Sequence, residues 1–187
     1  MKGIFVHTTL DGKKGLRAIV ESGIIGNHSN SLSLQLPSFK DQPLVFCSYV
    51  CNGYKGIYGN REGVVFETDS PIVYACPVDS FELMRARNWL PGHKQFIFSS
   101  IEKMLKQYPT ALDFKKDFQE YFQRLKPKNV YPGFAADFAK QHYDADYCLY
   151  PDYLNRMPGC NEVTFPKPLK IRDSVIFNSE EELGRFF

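Results

Sequence analysis

No stretch of this chain reaches the roughly 18 consecutive apolar residues that a membrane-spanning helix requires, which excludes a helical membrane protein. It has no C-x-x-C pair. Its five cysteines, Cys47, Cys51, Cys76, Cys148 and Cys160, are odd in number and irregularly spaced, a pattern of reduced thiols rather than of a disulfide framework or a zinc site. Neither G-x-G-x-x-G nor G-x-x-x-x-G-K-[ST] occurs, so no Rossmann or P-loop nucleotide site is indicated. Charge of one sign is not in surplus: 23 Lys and Arg stand against 21 Asp and Glu, a formal +2. Composition therefore does not build a surface that seeks polyanions. The opening Met1-Lys2-Gly3-Ile4-Phe5-Val6-His7 leaves the apolar register too soon for a secretory signal, and the expectation is a cytoplasmic, unexported protein.

What is present suits one globular domain over residues 1–187. With 43% hydrophobic and 24% charged residues, a chain of this length buries about 70% of its unfolded surface. Ile4 to Val6 reads as a strand with His7 at its end. Leu16, Ile19 and Val20 then recur at helical spacing until Gly23 supplies a stop. Gly26 to Pro43 is a long Ser/Asn/Gly-rich connection without periodicity. Leu44 to Val50, Gly63 to Thr68 and Ile72 to Val78 are β-rich runs separated by Gly, Asn, Asp and Pro. Ser100 is placed to cap a helix over Ile101 to Tyr108, and Phe114, Phe118, Tyr121, Phe122 and Leu125 mark one face of a second. Phe134, Ala135, Phe138 and Ala139 suggest a third. Glu162 to Phe165 and Ser174 to Phe177 read as closing strands, broken by Pro166 and Pro168. Strands first, helices in the middle and strands last predict an α+β fold on a mainly antiparallel sheet with flanking helices.

Among residues that carry chemistry, His7 closes a buried strand and precedes Thr8 and Thr9, whose hydroxyls suit a sugar. By position alone it is equally a structural histidine. His28, His93 and His142 have no second ligand at metal spacing, so no metal is expected. Glu162 opens an apolar strand directly after the turn-forming Met157-Pro158-Gly159-Cys160-Asn161, which puts its carboxylate at the sheet's end. Phe46, Tyr49, Tyr54 and Tyr58 offer flat rings for a planar heterocycle or, equally, for a core. Arg61, in the Gly-rich segment Gly53 to Gly63, is a candidate phosphate contact or a solvated loop residue. Cys160 lacks an adjoining histidine, which disfavours a thiol nucleophile.

Read together, His7-Thr8-Thr9, Leu44-Val45-Phe46-Cys47-Ser48-Tyr49 and Asn161-Glu162-Val163-Thr164-Phe165-Pro166 resemble the ADP-ribosyltransferase superfamily. In that superfamily a His with a hydroxyl-containing triplet ends the first strand, an aromatic follows on a second, and a Glu opens a late strand. The stretch from Arg156 to Glu181 is similar to the C-terminal end of the DarT-type DNA ADP-ribosyltransferase toxins. The resemblance implies an ADP-ribosyltransferase-like split sheet and NAD as co-substrate. It implies Glu162 as the catalytic residue, with His7, Thr8, Thr9, Phe46, Ser48, Tyr49, Tyr58 and Arg61 around the dinucleotide, and no metal. The family's stacking Tyr falls on Phe46, which keeps the ring and loses the hydroxyl, so that Tyr49 or Tyr58 is left to take over. Cys160 stands two residues before Glu162, where arginine-modifying members carry an acid. The implied acceptor is therefore a macromolecule, with DNA or RNA favoured over protein arginine, and no membrane. Two alternatives share the pocket: a non-catalytic NAD or ADP-ribose-binding module, and an NAD-dependent RNA 2′-phosphotransferase, which needs more basic residues than Arg17 and Arg61 near the motifs.

Overall fold

The structure, a computed structural model, describes residues 3–9, 12–26, 43–57, 62–78, 96–125 and 161–186, without the side chains of 119 and 121–125. β1 (Ile4–His7) is the inner strand, flanked by β3 (Leu44–Val50) and β4 (Gly63–Glu67), both antiparallel to it. β6 (Glu162–Pro166) lies outside β3, β5 (Tyr74–Cys76) outside β6, and β8 (Arg172–Phe177) outside β4. The resulting six-stranded order is β5-β6-β3-β1-β4-β8, antiparallel at every pairing, with helices packed on it. The α+β, mainly antiparallel architecture expected from the order of elements is thus the one observed.

Strand alternation divides the core. On one face Phe5, Val45, Cys47, Val64, Phe66, Ala75, Val163 and Phe165 meet Leu16 and Ile19 of α1 (Gly12–Ser22) and Ile101 and Met104 of α2 (Ile101–Gln107). Phe5 stacks on Phe66 at 5.8 Å and meets Phe165 edge-on at 5.2 Å. On the other face Val6, Val50, Val65 and Phe177 are covered by Leu183 of α4 (Glu180–Leu183). Because the inner strands are buried on both faces, they read in sequence as nearly unbroken apolar runs. α1 stops where Gly23 takes φ 64, and its N–H closes on the Ile19 carbonyl at 2.9 Å.

A second, aromatic cluster holds the connection after β3. Phe114 of α3 (Ala111–Leu125) meets Tyr108 at 5.4 Å, Phe96 at 5.5 Å and Phe118 at 5.6 Å. Fully buried Tyr54 donates its hydroxyl to the Tyr108 carbonyl at 3.1 Å. Tyr54, a candidate for stacking on a heterocycle, is therefore a core residue. Ser100 caps α2 as expected, accepting the Lys103 N–H at 3.3 Å. Thr110 and Asp113 bond reciprocally at the start of α3, a capping box that the sequence reading had not singled out. Gly53 sits so close to this junction that a Cβ there would lie 2.0 Å from the Pro109 carbonyl oxygen. Gly53→Ala is expected to destabilise the fold by about 1–3 kcal/mol through forced backbone movement, read as a lowered urea midpoint.

Two features differ from the sequence expectation. β6 keeps Pro166 as its last residue, opposite Leu44, and β8 begins at Arg172 rather than Ser174. Arg172 reaches Glu67 and Asp69 across the strand pair at 3.5 and 2.5 Å, extending the ladder past a bulge at Val65/Glu67. β2 (Ile24–Ile25) and β7 (Leu169–Lys170) form a separate two-stranded sheet, too short to show any periodicity. The helix expected around Phe134 to Ala139 and most of the Gly26 to Pro43 connection lie outside the described residues. Among the described residues no helix is long and apolar enough to cross a membrane.

Candidate active site at the end of the inner strand

The three segments that carry the candidate chemistry, separated by up to 155 positions in sequence, occupy three neighbouring strands, β1, β3 and β6. β1 stops at His7, whereas β3 extends beyond it over Leu44–Phe46 and pairs there with Pro166, Phe165 and Thr164 of β6. The sheet therefore opens beside β3 where β1 ends.

His7 closes that opening from β1. Its Nδ1 lies 3.0 Å from the carbonyl oxygen of Phe46. A carbonyl only accepts, so Nδ1 carries the proton and donates, and in the neutral ring the lone pair stands on Nε2. The ring thus caps a β3 carbonyl just beyond the last β1–β3 pair, Val6 with Ser48.

Glu162 is 5% exposed, and its neighbour Asn161 is 1% exposed. A carboxylate so enclosed requires donors. The Tyr74 hydroxyl donates to Oε1 at 3.1 Å, across β5–β6, where Cys76 is directly opposite Glu162 and Tyr74 opposite Thr164. Asn161 fixes the start of the strand: its Oδ1 accepts the Tyr49 N–H at 2.8 Å and its Nδ2 donates to the Tyr49 carbonyl at 2.7 Å. One side chain thereby replaces a ladder pair and anchors the residue before Glu162 to β3. On the far side, Cys76 lies close enough to Tyr54 and Tyr108 to affect the ionisation of both phenols, so the aromatic cluster backs this end of the sheet.

The pleat decides which candidates meet. Phe46 pairs with Thr164, so it shares a face with Thr164 and Glu162, as does buried Ser48 two residues on. Half-buried Phe46 and the Glu162 carboxylate thus project from one side of adjoining strands. Tyr49 shares the face of Cys47 and Val163 instead, and so by alternation does His7, which is opposite Val64 and 3.9 Å from Cys47 Sγ. The Tyr49 hydroxyl accepts the Gly3 N–H at 2.9 Å and its ring meets Phe5 at 5.3 Å, so its contacts are those of a packing residue. Phe46, and not Tyr49, is the ring beside the carboxylate. Thr8 and Thr9 follow β1 partly buried at the opening. Tyr58, Arg61, Cys160, His28, His93 and His142 lie outside the described residues.

Cys47 Sγ stands 3.9 Å from His7 Nδ1. This resembles a thiol–imidazole dyad only in distance, because burial, and secondarily the negative charge of Glu162, push the Cys47 thiol well above its usual range. It stays protonated at neutral pH and is no nucleophile. Among the described residues no group of His, Cys, Asp and Glu is arranged to hold a metal ion. No protein-family model matches the chain, and neither a curated protein nor a solved structure matches it.

Two residues at this site escaped the sequence reading as participants. Tyr74 lies inside an ordinary β-rich run, and nothing local marks its hydroxyl as bound to a carboxylate 88 positions away. Asn161 was visible only as the residue before Glu162. The odd spacing of Phe46 and Tyr49 was itself a signal, since residues three apart on a strand face opposite ways.

Proposed function

We propose that this chain is an NAD-dependent ADP-ribosyltransferase on an ADP-ribosyltransferase-like split sheet, transferring ADP-ribose to a macromolecular acceptor of nucleic acid type and releasing nicotinamide. One observation carries the reading. His7, Phe46 and Glu162 stand on three adjacent strands, β1, β3 and β6, in the order that the resemblance requires; buried Glu162 is held by Tyr74 on the face of Phe46, and His7, on the opposite face by alternation, bonds the Phe46 carbonyl.

The chemistry suits these groups. The bond between nicotinamide and the ribose C1′ breaks, and its electron pair leaves with nicotinamide. Positive charge builds on the ribose as in glycoside cleavage. Glu162, fixed in place and shielded from water, stabilises that charge more than a solvated carboxylate would. A nucleophilic oxygen or nitrogen of the acceptor then bonds to C1′ and gives its proton to Glu162. His7 positions rather than transfers protons: Nε2 accepts from a ribose hydroxyl while Nδ1 is committed to Phe46. The Phe46 ring offers a flat apolar face for the nicotinamide.

The test is nicotinamide release from NAD by the purified protein, alone and with single-stranded DNA or RNA. Release that rises with one nucleic acid supports the reading and identifies the acceptor class, and no release under any condition overturns it. His7→Asn keeps a side-chain donor for the Phe46 carbonyl and removes the Nε2 acceptor. It is expected to raise KM for NAD about tenfold or more, as loss of one ground-state hydrogen bond does, with a smaller effect on kcat. An unchanged KM removes His7 from the binding site.

A further inference from the structure

Building on the transferase reading, we infer that Tyr74 is a positioning residue for Glu162, its hydroxyl bond to Oε1 fixing the direction of the carboxylate. Two fully enclosed tyrosines, one on β5 and one in the connection after β3, show the contrast. Tyr54, 0% exposed, directs its hydroxyl to a backbone carbonyl, the ordinary way to satisfy a buried phenol. Tyr74, 1% exposed, directs its hydroxyl to the carboxylate instead, at 3.1 Å.

The backbone of Tyr74 has little freedom to move. The Val73 N–H donates to the Thr164 carbonyl at 2.8 Å, Ala75 and Phe98 exchange two backbone bonds of 2.8 Å each, and Thr164 Oγ1 donates to the Tyr74 carbonyl at 3.4 Å. From the other strand, Asn161 pins the residue preceding Glu162 to β3. The carboxylate is therefore positioned by its own strand through the backbone and by the Tyr74 hydroxyl from the neighbouring one. For packing alone a phenylalanine would serve at position 74. The hydroxyl sets the direction of a charge that acts only when charge develops on the ribose, so its loss falls on the chemical step.

The experiment measures steady-state nicotinamide release by wild type, Tyr74→Phe, Glu162→Gln and the double variant, with NAD affinity measured alongside. Tyr74→Phe is expected to lower kcat about tenfold to a hundredfold with KM and NAD affinity within about twofold. Because Tyr74 acts through Glu162, the double variant is expected to be no slower than Glu162→Gln alone. Tyr74→Met, another hydroxyl-free side chain of similar reach, is expected to reproduce the kinetics should Tyr74→Phe fail to fold. A wild-type kcat in Tyr74→Phe, or multiplicative losses in the double variant, would overturn the positioning role while leaving the transferase reading standing. Absence of release by the wild-type protein would overturn both.

Discussion

Replacing Glu162 by Gln is expected to lower nicotinamide release from NAD by about a hundredfold or more, the loss typical of one preorganised charge-stabilising group. The substitution preserves shape, and a glutamine carbonyl still accepts the Tyr74 hydroxyl that now bonds Oε1 at 3.1 Å. The melting temperature should consequently stay within a few degrees, and NAD affinity should be largely kept, because the carboxylate contributes mainly when the ribose becomes cationic. Such a pattern, in which kcat collapses while binding and stability persist, separates a catalytic carboxylate from a structural one. Release at the wild-type rate would remove Glu162 from the mechanism, and with it the argument that joins β1, β3 and β6 into one site. Saturable NAD binding without turnover in the wild type would instead favour a binding module.

Asn161→Ala carries the largest expected effect on stability. The Asn161 amide is 1% exposed and bonds both the N–H and the carbonyl of Tyr49, at 2.8 and 2.7 Å. Truncation strips two enclosed backbone groups of their partners at once, and each such loss costs about 1–3 kcal/mol, so the expected destabilisation is about 2–6 kcal/mol. Asn161→Asp should be at least as damaging. The carboxylate can still accept the Tyr49 N–H, but it has no donor for the Tyr49 carbonyl and faces that oxygen with negative charge. Equilibrium urea unfolding reads both variants, and a loss under about 0.5 kcal/mol would mean that water or a relaxed β3–β6 ladder replaces the fork. Asn161 also sets where Glu162 begins, so activity is expected to fall further in Asn161→Ala than the unfolded fraction explains.

Much of the framework was legible because burial leaves a pattern. β3 appears in sequence with the bounds Leu44 to Val50 that it has in the fold, since a strand enclosed on both faces is apolar almost throughout and ends at polar turn residues. The α1 stop at Gly23 and the Ser100 cap were legible for a different reason: each depends on the local chemistry of one residue, a left-handed φ in the first and a side-chain acceptor in the second. The pairing of β2 with β7 left no such trace. Two residues on each strand are too few for a period, and what joins them is tertiary contact between distant segments.

At the candidate site the division is sharper. By itself the sequence determined that a histidine ends one strand, an aromatic lies on another and a glutamate opens a third, because residue type and periodicity are local properties. Only the tertiary structure decided that these strands are neighbours. It made Phe46 rather than Tyr49 the ring sharing a face with the carboxylate, made Tyr54 a core residue, and brought Tyr74 and Asn161 to Glu162. Each of those outcomes depends on register between strands remote in the chain, where a shift of one residue reverses the face of every side chain.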